Sequence, residues 1–218
     1  MVIQWLGHAC FLIISEDGTK IITDPYTPNA FGGSLSYGSI HISPDIVTIS
    51  HHHADHDYVE GLPGDFKVVS REGSETADGI HIKGVEVYHD PEEGSMRGPN
   101  IIFVMNVDHL RLCHLGDLGH ELSMQQIEEI GEVDILFIPV GGYYTISSEQ
   151  ATSTVDRLNP RLVFPMHYKT DKTTLPIAPV DNFLQGKQNV RKLNTSEYEV
   201  TRETLPDQRE IIVLKHAL

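Results

Sequence analysis

The chain has 218 residues, of which 39% are hydrophobic and 22% charged, proportions that exclude a disordered chain and fit one folded domain. Its 16 lysines and arginines stand against 31 aspartates and glutamates, a formal charge of −15 at pH 7, which repels phosphate backbones and excludes nucleic acid as a bulk partner. Two cysteines give no disulfide framework, and no apolar run in the sequence is long enough to span a bilayer, so the expectation is a single cytoplasmic domain over residues 1–218 with no stable membrane association.

In chain order, "VIQWL", "CFLIIS" and "KIITD" read as short strands of β-branched and aromatic residues, with Asp17-Gly18 supplying a hairpin turn between the second and third. "DIVTIS" (45–50) is mostly apolar, the pattern of a strand buried on both faces, and it runs directly into "HHHADH" at 51–56. "FKVVS", "GIHIKGVEVYHD", "NIIFVMNVDHLRLCHLGD" and "VDILFIPVGG" continue in the same style. Helices are fewer. "SMQQIEEIGEV" opens on a serine cap and sets Met124, Ile127 and Ile130 at helical spacing. "SSEQATSTVDRLNP" is capped by Ser147 or Ser148 and ends before Pro160, "APVDNFLQG" is a short third helix stopped by Gly186, and "EIIVLK" is a closing strand. No linker, repeat or low-complexity tract interrupts this order, which predicts mixed α/β layers around one core.

The 13 histidines are unevenly spread. In an extended "HHHADH", His51 and His53 face one way and His52 the other. If Asp55 and His56 begin a helical turn they splay toward a neighbouring point, and one loop then serves two metal ions. Neutral imidazole and carboxylate oxygen suit zinc and similar divalent cations. The competing reading is a solvated histidine-rich turn, which His52 and Asp57 do fit. Further ligands must come from elsewhere, and His89, His114, Asp117 and His167 each follow an apolar strand, where layered folds collect ligands.

"SHHHADH", followed by a later histidine, a "GD" and a late histidine, resembles the metallo-β-lactamase superfamily. "WLGHACFLI", "IITDPY", "RGPNIIFV", "CHLGDLGH", "IPVGGYYTI" and "PMHY" resemble its branch of small metal-dependent hydrolases related to ascorbate-6-phosphate lactonase and N-acyl-phosphatidylethanolamine phospholipase D. The resemblance covers nearly the whole chain. It implies a four-layer αββα sandwich with two divalent metals at one edge, zinc first, with manganese, iron or nickel as alternatives. His51, His53 and His89 would hold the first metal and Asp55, His56 and His167 the second, with Asp117 bridging. His81 and His114 compete with His89 for its place. His81 is expected to be structural or exposed, on a strand before a turn at Gly84, and His114 to support the site from behind. An aspartate at the bridging position, with Cys113 four residues earlier, argues against an antibiotic-degrading lactamase.

The implied reaction is attack on a small ester, lactone or phosphodiester by hydroxide generated at the metals, with Asp55 orienting the nucleophile or shuttling its proton. An iron-dependent oxidoreductase of the same superfamily is the alternative, and a non-catalytic metal binder or a nuclease ranks lower. The expected partner is a small-molecule substrate. His8 and Asp24 close early strands and border the site in the relatives, though each also reads as structural, a core histidine and a turn opener. Arg97, in "MRGPN", is either a clamp for a substrate phosphate or carboxylate or a surface partner of Glu92 or Glu93. Gly141 and Gly142 would let backbone N–H groups approach a ligand, with Tyr143 or Tyr144 donating to it.

Overall fold

Two mixed sheets form in the computed structural model, which describes residues 1–218. In chain order the strands are β1 (Val2–Gly7), β2 (Cys10–Ile14), β3 (Lys20–Thr23), β4 (Ile46–Thr48), β5 (Lys67–Val69), β6 (Gly73–Ala77), β7 (Ile80–Tyr88), β8 (Pro99–Val107), β9 (Leu110–His114), β10 (Ile135–Pro139), β11 (Leu162–Met166), β12 (Val190–Lys192), β13 (Glu197–Glu199) and β14 (Glu210–Val213). The helices are α1 (Ala30–Gly33), α2 (Met124–Ile130), α3 (Ser148–Leu158) and α4 (Val180–Leu184). One sheet has the order β13-β1-β2-β3-β4-β5 and the other β12-β14-β11-β10-β9-β8-β7-β6. No helix is long and apolar enough to cross a membrane.

The long stretch 100–117 divides into β8 and β9 at Asp108-His109, both at positive φ (49° and 62°), the backbone of a tight hairpin whose twist matches its strands. Gly84 lies within β7 opposite Phe103 and is not a turn. A Cβ there would come within 2.3 Å of the Arg71 carbonyl oxygen, so the glycine serves close backbone approach. His81 is exposed on the same strand.

Strand direction places the site. β1, β2 and β3 are antiparallel in turn, while β3, β4 and β5 run parallel. β7, β8 and β9 are antiparallel in turn, while β9, β10 and β11 run parallel. The C-terminal ends of β1, β3 and β4 therefore share one edge of the first sheet, and those of β7, β9, β10 and β11 share one edge of the second.

The sheets face each other across a core that joins Trp5, Phe11 and Ile21 of the first to Phe103, Phe137 and Phe164 of the second. Phe11 and Phe137 have ring centroids 4.5 Å apart. Such side chains each contribute about 1.5–3 kcal/mol on burial. Against the second sheet lie α2 and α3, each opened by a serine whose hydroxyl accepts from the backbone three residues on, while a glutamine returns the bond. Ser147, and not Ser148, is the cap of α3. The outer face of the first sheet, with Leu6, Leu12, Ile22 and Val47, is covered by Tyr26, Leu35, Tyr37, Ile40 and Leu62. That covering layer of the α/β sandwich is mostly loop, because α1 is a four-residue turn with Phe31 and Gly32 at positive φ.

Candidate metal centre

After β4 the chain tightens into a helical turn in which the His53 carbonyl accepts from the amides of His56 (2.8 Å) and Asp57 (3.2 Å). This turn sends His52 outward to Asp57 (3.3 Å) and the remaining polar side chains inward. His51, Asp55 and His56 are buried, and His53 is the more open member.

Two groups of ligand atoms result. His51, His53 and His89 present ring nitrogens within 4.8 Å of one another, their centroids separated by 4.6, 4.7 and 5.3 Å. Asp55, His56 and His167 form the second group, and His8 joins it. Asp117 stands between them. Its Oδ2 lies 3.4 Å from His89 Nε2, 3.3 Å from His56 Nε2 and 3.2 Å from His167 Nε2. The buried Nε2 atoms of His51 and His56 and the Oδ1 of Asp117 have no hydrogen-bond partner. Buried polar atoms left without partners at such depth are costly, and a cation at the centre would answer them. A set of imidazole nitrogens and carboxylate oxygens without thiolate fits zinc or another first-row divalent ion. Cys10 and Cys113 are buried, and burial raises both thiols above their ordinary pKa.

Asp24 organises two of these imidazoles. Its Oδ1 accepts the Ser50 amide (2.7 Å), and its Oδ2 accepts both the Ser50 hydroxyl (2.7 Å) and His56 Nδ1–H (2.9 Å). With its proton committed to Asp24, the Ser50 oxygen accepts from His51 Nδ1–H (2.9 Å). Both rings are thereby fixed in the tautomer that turns the Nε2 lone pair toward the centre. His8 Nε2–H donates to Asp55 Oδ2 (3.0 Å), and the His8 and His167 rings lie 4.0 Å apart. His114 does not reach the ligand groups. It bonds Ala9 O (2.9 Å) and accepts from the Gly116 amide (3.2 Å), a strut between the sheets beneath the site.

Sequence reasoning passed over several supporting residues. Asn100 donates to Leu115 O and accepts the Asp117 amide, both at 2.9 Å, clamping the loop that carries the central carboxylate. Gly119 packs on the backbone of His89 and Asp90, where a Cβ would come within 2.2 Å. At Gly141 a Cβ would lie 2.2 Å from the His167 carbonyl oxygen, so this glycine admits a neighbouring strand end and not a ligand. Only Ser50 had a local signal, its place directly before the cluster.

The electrostatics match a site built for added positive charge. Burial lowers His51 to about 3, helped by the charge of His56, and burial with His167 lowers His8 to about 4. At His56 burial also disfavours the imidazolium, but Asp117 and Asp55 outweigh it and raise its pKa well above the histidine value. Burial would raise Asp55 and Asp117, yet the surrounding imidazoles win and hold both well below the carboxylate range. The carboxylates stay ionised, and without a metal His56 carries the answering proton.

The groups open into a cavity of about 390 Å³ lined by Phe31, His53, Asp55, His89, Arg97, Asp117, Tyr144, His167 and Leu175. Gly142 and Tyr143 are not among these residues. Both have positive φ (62° and 63°), a reversal that leaves Tyr143 67% exposed and puts Tyr144 on the cavity wall.

The domain model described as the beta-lactamase superfamily domain matches residues 2–167. A UPF0173 metal-dependent hydrolase of Pyrobaculum arsenaticum is 32% identical, covering 78% of this chain and 85% of its own length. One from Natranaerobius thermophilus is 29% identical, covering 90% and 94%. Among solved structures, a candidate zinc-dependent hydrolase of the metallo-β-lactamase superfamily from Thermotoga maritima has a TM-score of 0.81 and 38% identity over 98% of this chain and 97% of that one. Igni18, a metallo hydrolase of Ignicoccus hospitalis, has a TM-score of 0.65 and 26% identity, covering 84% and 88%.

Proposed function

The chain belongs to the metallo-β-lactamase superfamily and is a metal-dependent hydrolase, and from that premise we propose that it uses a two-metal centre to hydrolyse a small ester, lactone or phosphodiester. One observation carries the reading: two ligand groups, each with its own imidazoles, meet at the single carboxylate of Asp117. His51, His53 and His89 would hold one ion, and Asp55, His56 and His167 the other. When bound, such a pair supplies a water of lowered pKa and a Lewis acid for the electrophile.

The protein supplies the rest. Asp24 and Ser50 hold the imidazoles of His56 and His51 in the ligating tautomer. Asp55 stays ionised and is fixed by His8 at Oδ2, so it is the carboxylate placed to orient a water or take its proton. Asp117, held by Asn100 at its amide, carries the central charge. Phe31 and Leu175 keep part of the cavity wall apolar, which strengthens electrostatic contacts inside.

The test joins metal analysis of the purified protein to turnover of a panel of lactones, thioesters and phosphodiesters. The expected result is two equivalents of divalent metal and hydrolysis of at least one class, both lost in Asp117→Ala. Full metal content and activity in Asp117→Ala, or turnover that needs iron and oxygen, would reject the reading.

A further inference from the structure

We infer that Arg97 is the substrate-recognition residue of this cavity and that the substrate is a small ester or lactone bearing an anionic oxygen group, carboxylate or phosphate, on an apolar body. The inference rests on the hydrolase reading and adds to it the class of molecule the cavity accepts.

The loop that carries Arg97 is built, not slack. Asp90 is fully buried, and its carboxylate accepts four backbone N–H groups: Glu92 (2.8 Å) and Gly94 (3.0 Å) at Oδ1, Met96 (3.0 Å) and Arg97 (2.7 Å) at Oδ2. One carboxylate thus fixes the course of the chain up to Arg97 itself. From there the guanidinium reaches the cavity, donating to the Tyr143 carbonyl at 3.5 Å and lying 5.8 Å from the centroid of the Tyr144 ring.

The guanidinium has no carboxylate partner. Of the eight arginines, Arg161, Arg191, Arg202 and Arg209 each pair with an acidic side chain, and Arg111 and Arg157 donate to backbone carbonyls. Arg97 pairs with none, although Glu92 and Glu93 are close in sequence, so the surface ion-pair reading does not hold. In a chain of net charge −15, an arginine free of carboxylates on the wall of the cavity that also holds His53, Asp55, His89, Asp117 and His167 is open to an anion docked there. It is also the one lysine or arginine on the cavity lining. A planar guanidinium presents a fork matched to carboxylate or phosphate oxygens.

The remaining wall specifies the body of the ligand. Phe31 is 51% exposed at a positive φ of 54°, and with Leu175 and Tyr144 it faces the same space as Arg97. A large apolar side chain left in water at a cavity wall loses that exposure when an apolar group docks on it. The ligand histidines and carboxylates supply the reacting end, Phe31 and Leu175 the apolar contact, and Arg97 the charge at the rim.

Binding is measured by calorimetry on metal-loaded protein with three inert probes: hexanoate, hexyl phosphate and hexanol. The expected result is that at least one anion binds the wild type more tightly than hexanol and loses about 10- to 100-fold in affinity in Arg97→Met, the effect of removing a charge-assisted bidentate contact. Arg97→Lys, which keeps the charge without the fork, is expected to fall between them, with metal content unchanged in both variants. Anion affinity equal in wild type and Arg97→Met, or no preference for either anion over hexanol, would overturn the inference. The two anions separate a carboxylate-bearing from a phosphate-bearing substrate. Because the readout is binding, it is distinct from failure of the hydrolase reading, which shows as absence of turnover in a protein that still binds the anion.

Discussion

The substitution Asp24→Asn isolates the role of orientation in metal binding. Asp24 is fully buried with φ of 41°, a left-handed conformation that asparagine tolerates as well as aspartate, so the change is isosteric and unstrained. The carboxylate accepts three hydrogen bonds, from the Ser50 amide and hydroxyl and from His56 Nδ1. An amide has one acceptor oxygen. If that oxygen keeps the Ser50 amide, the NH₂ faces His56 Nδ1 and forces it to accept, which moves the ring proton to Nε2 and removes the ligating lone pair. Groups that orient a ligand from behind are worth about 10- to 100-fold in metal affinity. The full loss is expected at the position served by His56, and a smaller one, about 10-fold or less, at the position served by His51, whose link runs through Ser50. Ser50→Ala removes the His51 link and the hydroxyl bond to Asp24 but leaves Asp24 on His56, and should show the small loss alone. Zinc competition against a chromophoric chelator separates the two affinities. Asp24→Asn binding both ions as tightly as the wild type would refute the tautomer argument.

Two further outcomes follow from the same geometry. In the metal-free protein, His51 at about 3 and His8 at about 4 lie below the unfolded value of about 6.5, so below pH 6.5 the unfolded chain takes up protons that the folded one refuses. Stability should then fall by about 2 kcal/mol per histidine from pH 6.5 to pH 5. His56 is raised, and its contribution, complete below about pH 6.5, is lost as pH rises through its folded value. Urea melts of chelator-treated protein should therefore peak near neutrality, and a flat profile between pH 5 and 6.5 would count against this account. Gly119→Ala places a Cβ 2.2 Å from the His89 carbonyl carbon and 2.3 Å from the Asp90 nitrogen, where backbone must move. A cost of about 1–3 kcal/mol, or roughly 2–12 °C in melting temperature, is expected together with weaker metal binding, and a melt within about 1 °C of the wild type would show that the contact is not tight.

The sequence carried the strands that hold the core because their signal is local. "DIVTIS" is apolar because both faces of β4 are covered, Ile46 by the core between the sheets and Val47 by the outer layer, and the serine–glutamine pairs that cap α2 and α3 sit within four residues of each other. The strands β6, β12 and β13 carried no such signal. Each is at or near a sheet edge, mostly exposed, and written in polar residues. At the site, the crowding of His51 to His56 is visible in one line of text, whereas the bonds of Asp24, Asn100 and Asp90 span folded geometry or a loop whose shape no spacing encodes. Tyr143 and Tyr144 show the limit most directly. Alternation decides which of two adjacent side chains faces inward only while the backbone stays extended, and two successive residues at positive φ reverse the outcome.

The same backbone region explains how flat sheets feed a compact centre. Side chains on a strand stand perpendicular to the sheet, so none points past the strand's end. At three strand ends the chain turns within a single residue, aiming one ligand, His167, and two supporting groups, His8 and Asp24, past the edge. His8 follows β1 with φ of 52°, Asp24 follows β3 with φ of 41°, and His167 follows β11 with φ of 51°. Positive φ is uncommon outside glycine and costs an L residue about 1–2 kcal/mol, so three such residues at adjoining strand ends mark local strain held by the surrounding fold. The holding contacts are explicit. The His8 carbonyl accepts both the Trp5 indole N–H at 3.0 Å and the His167 amide at 3.2 Å, and the Asp24 amide donates to Thr48 O at 2.8 Å. Trp5 belongs to the core between the sheets, so the packing that stabilises the sandwich also fixes the strained residues. A site held this way gives up little conformational entropy when a metal binds, because its side chains have already been aimed.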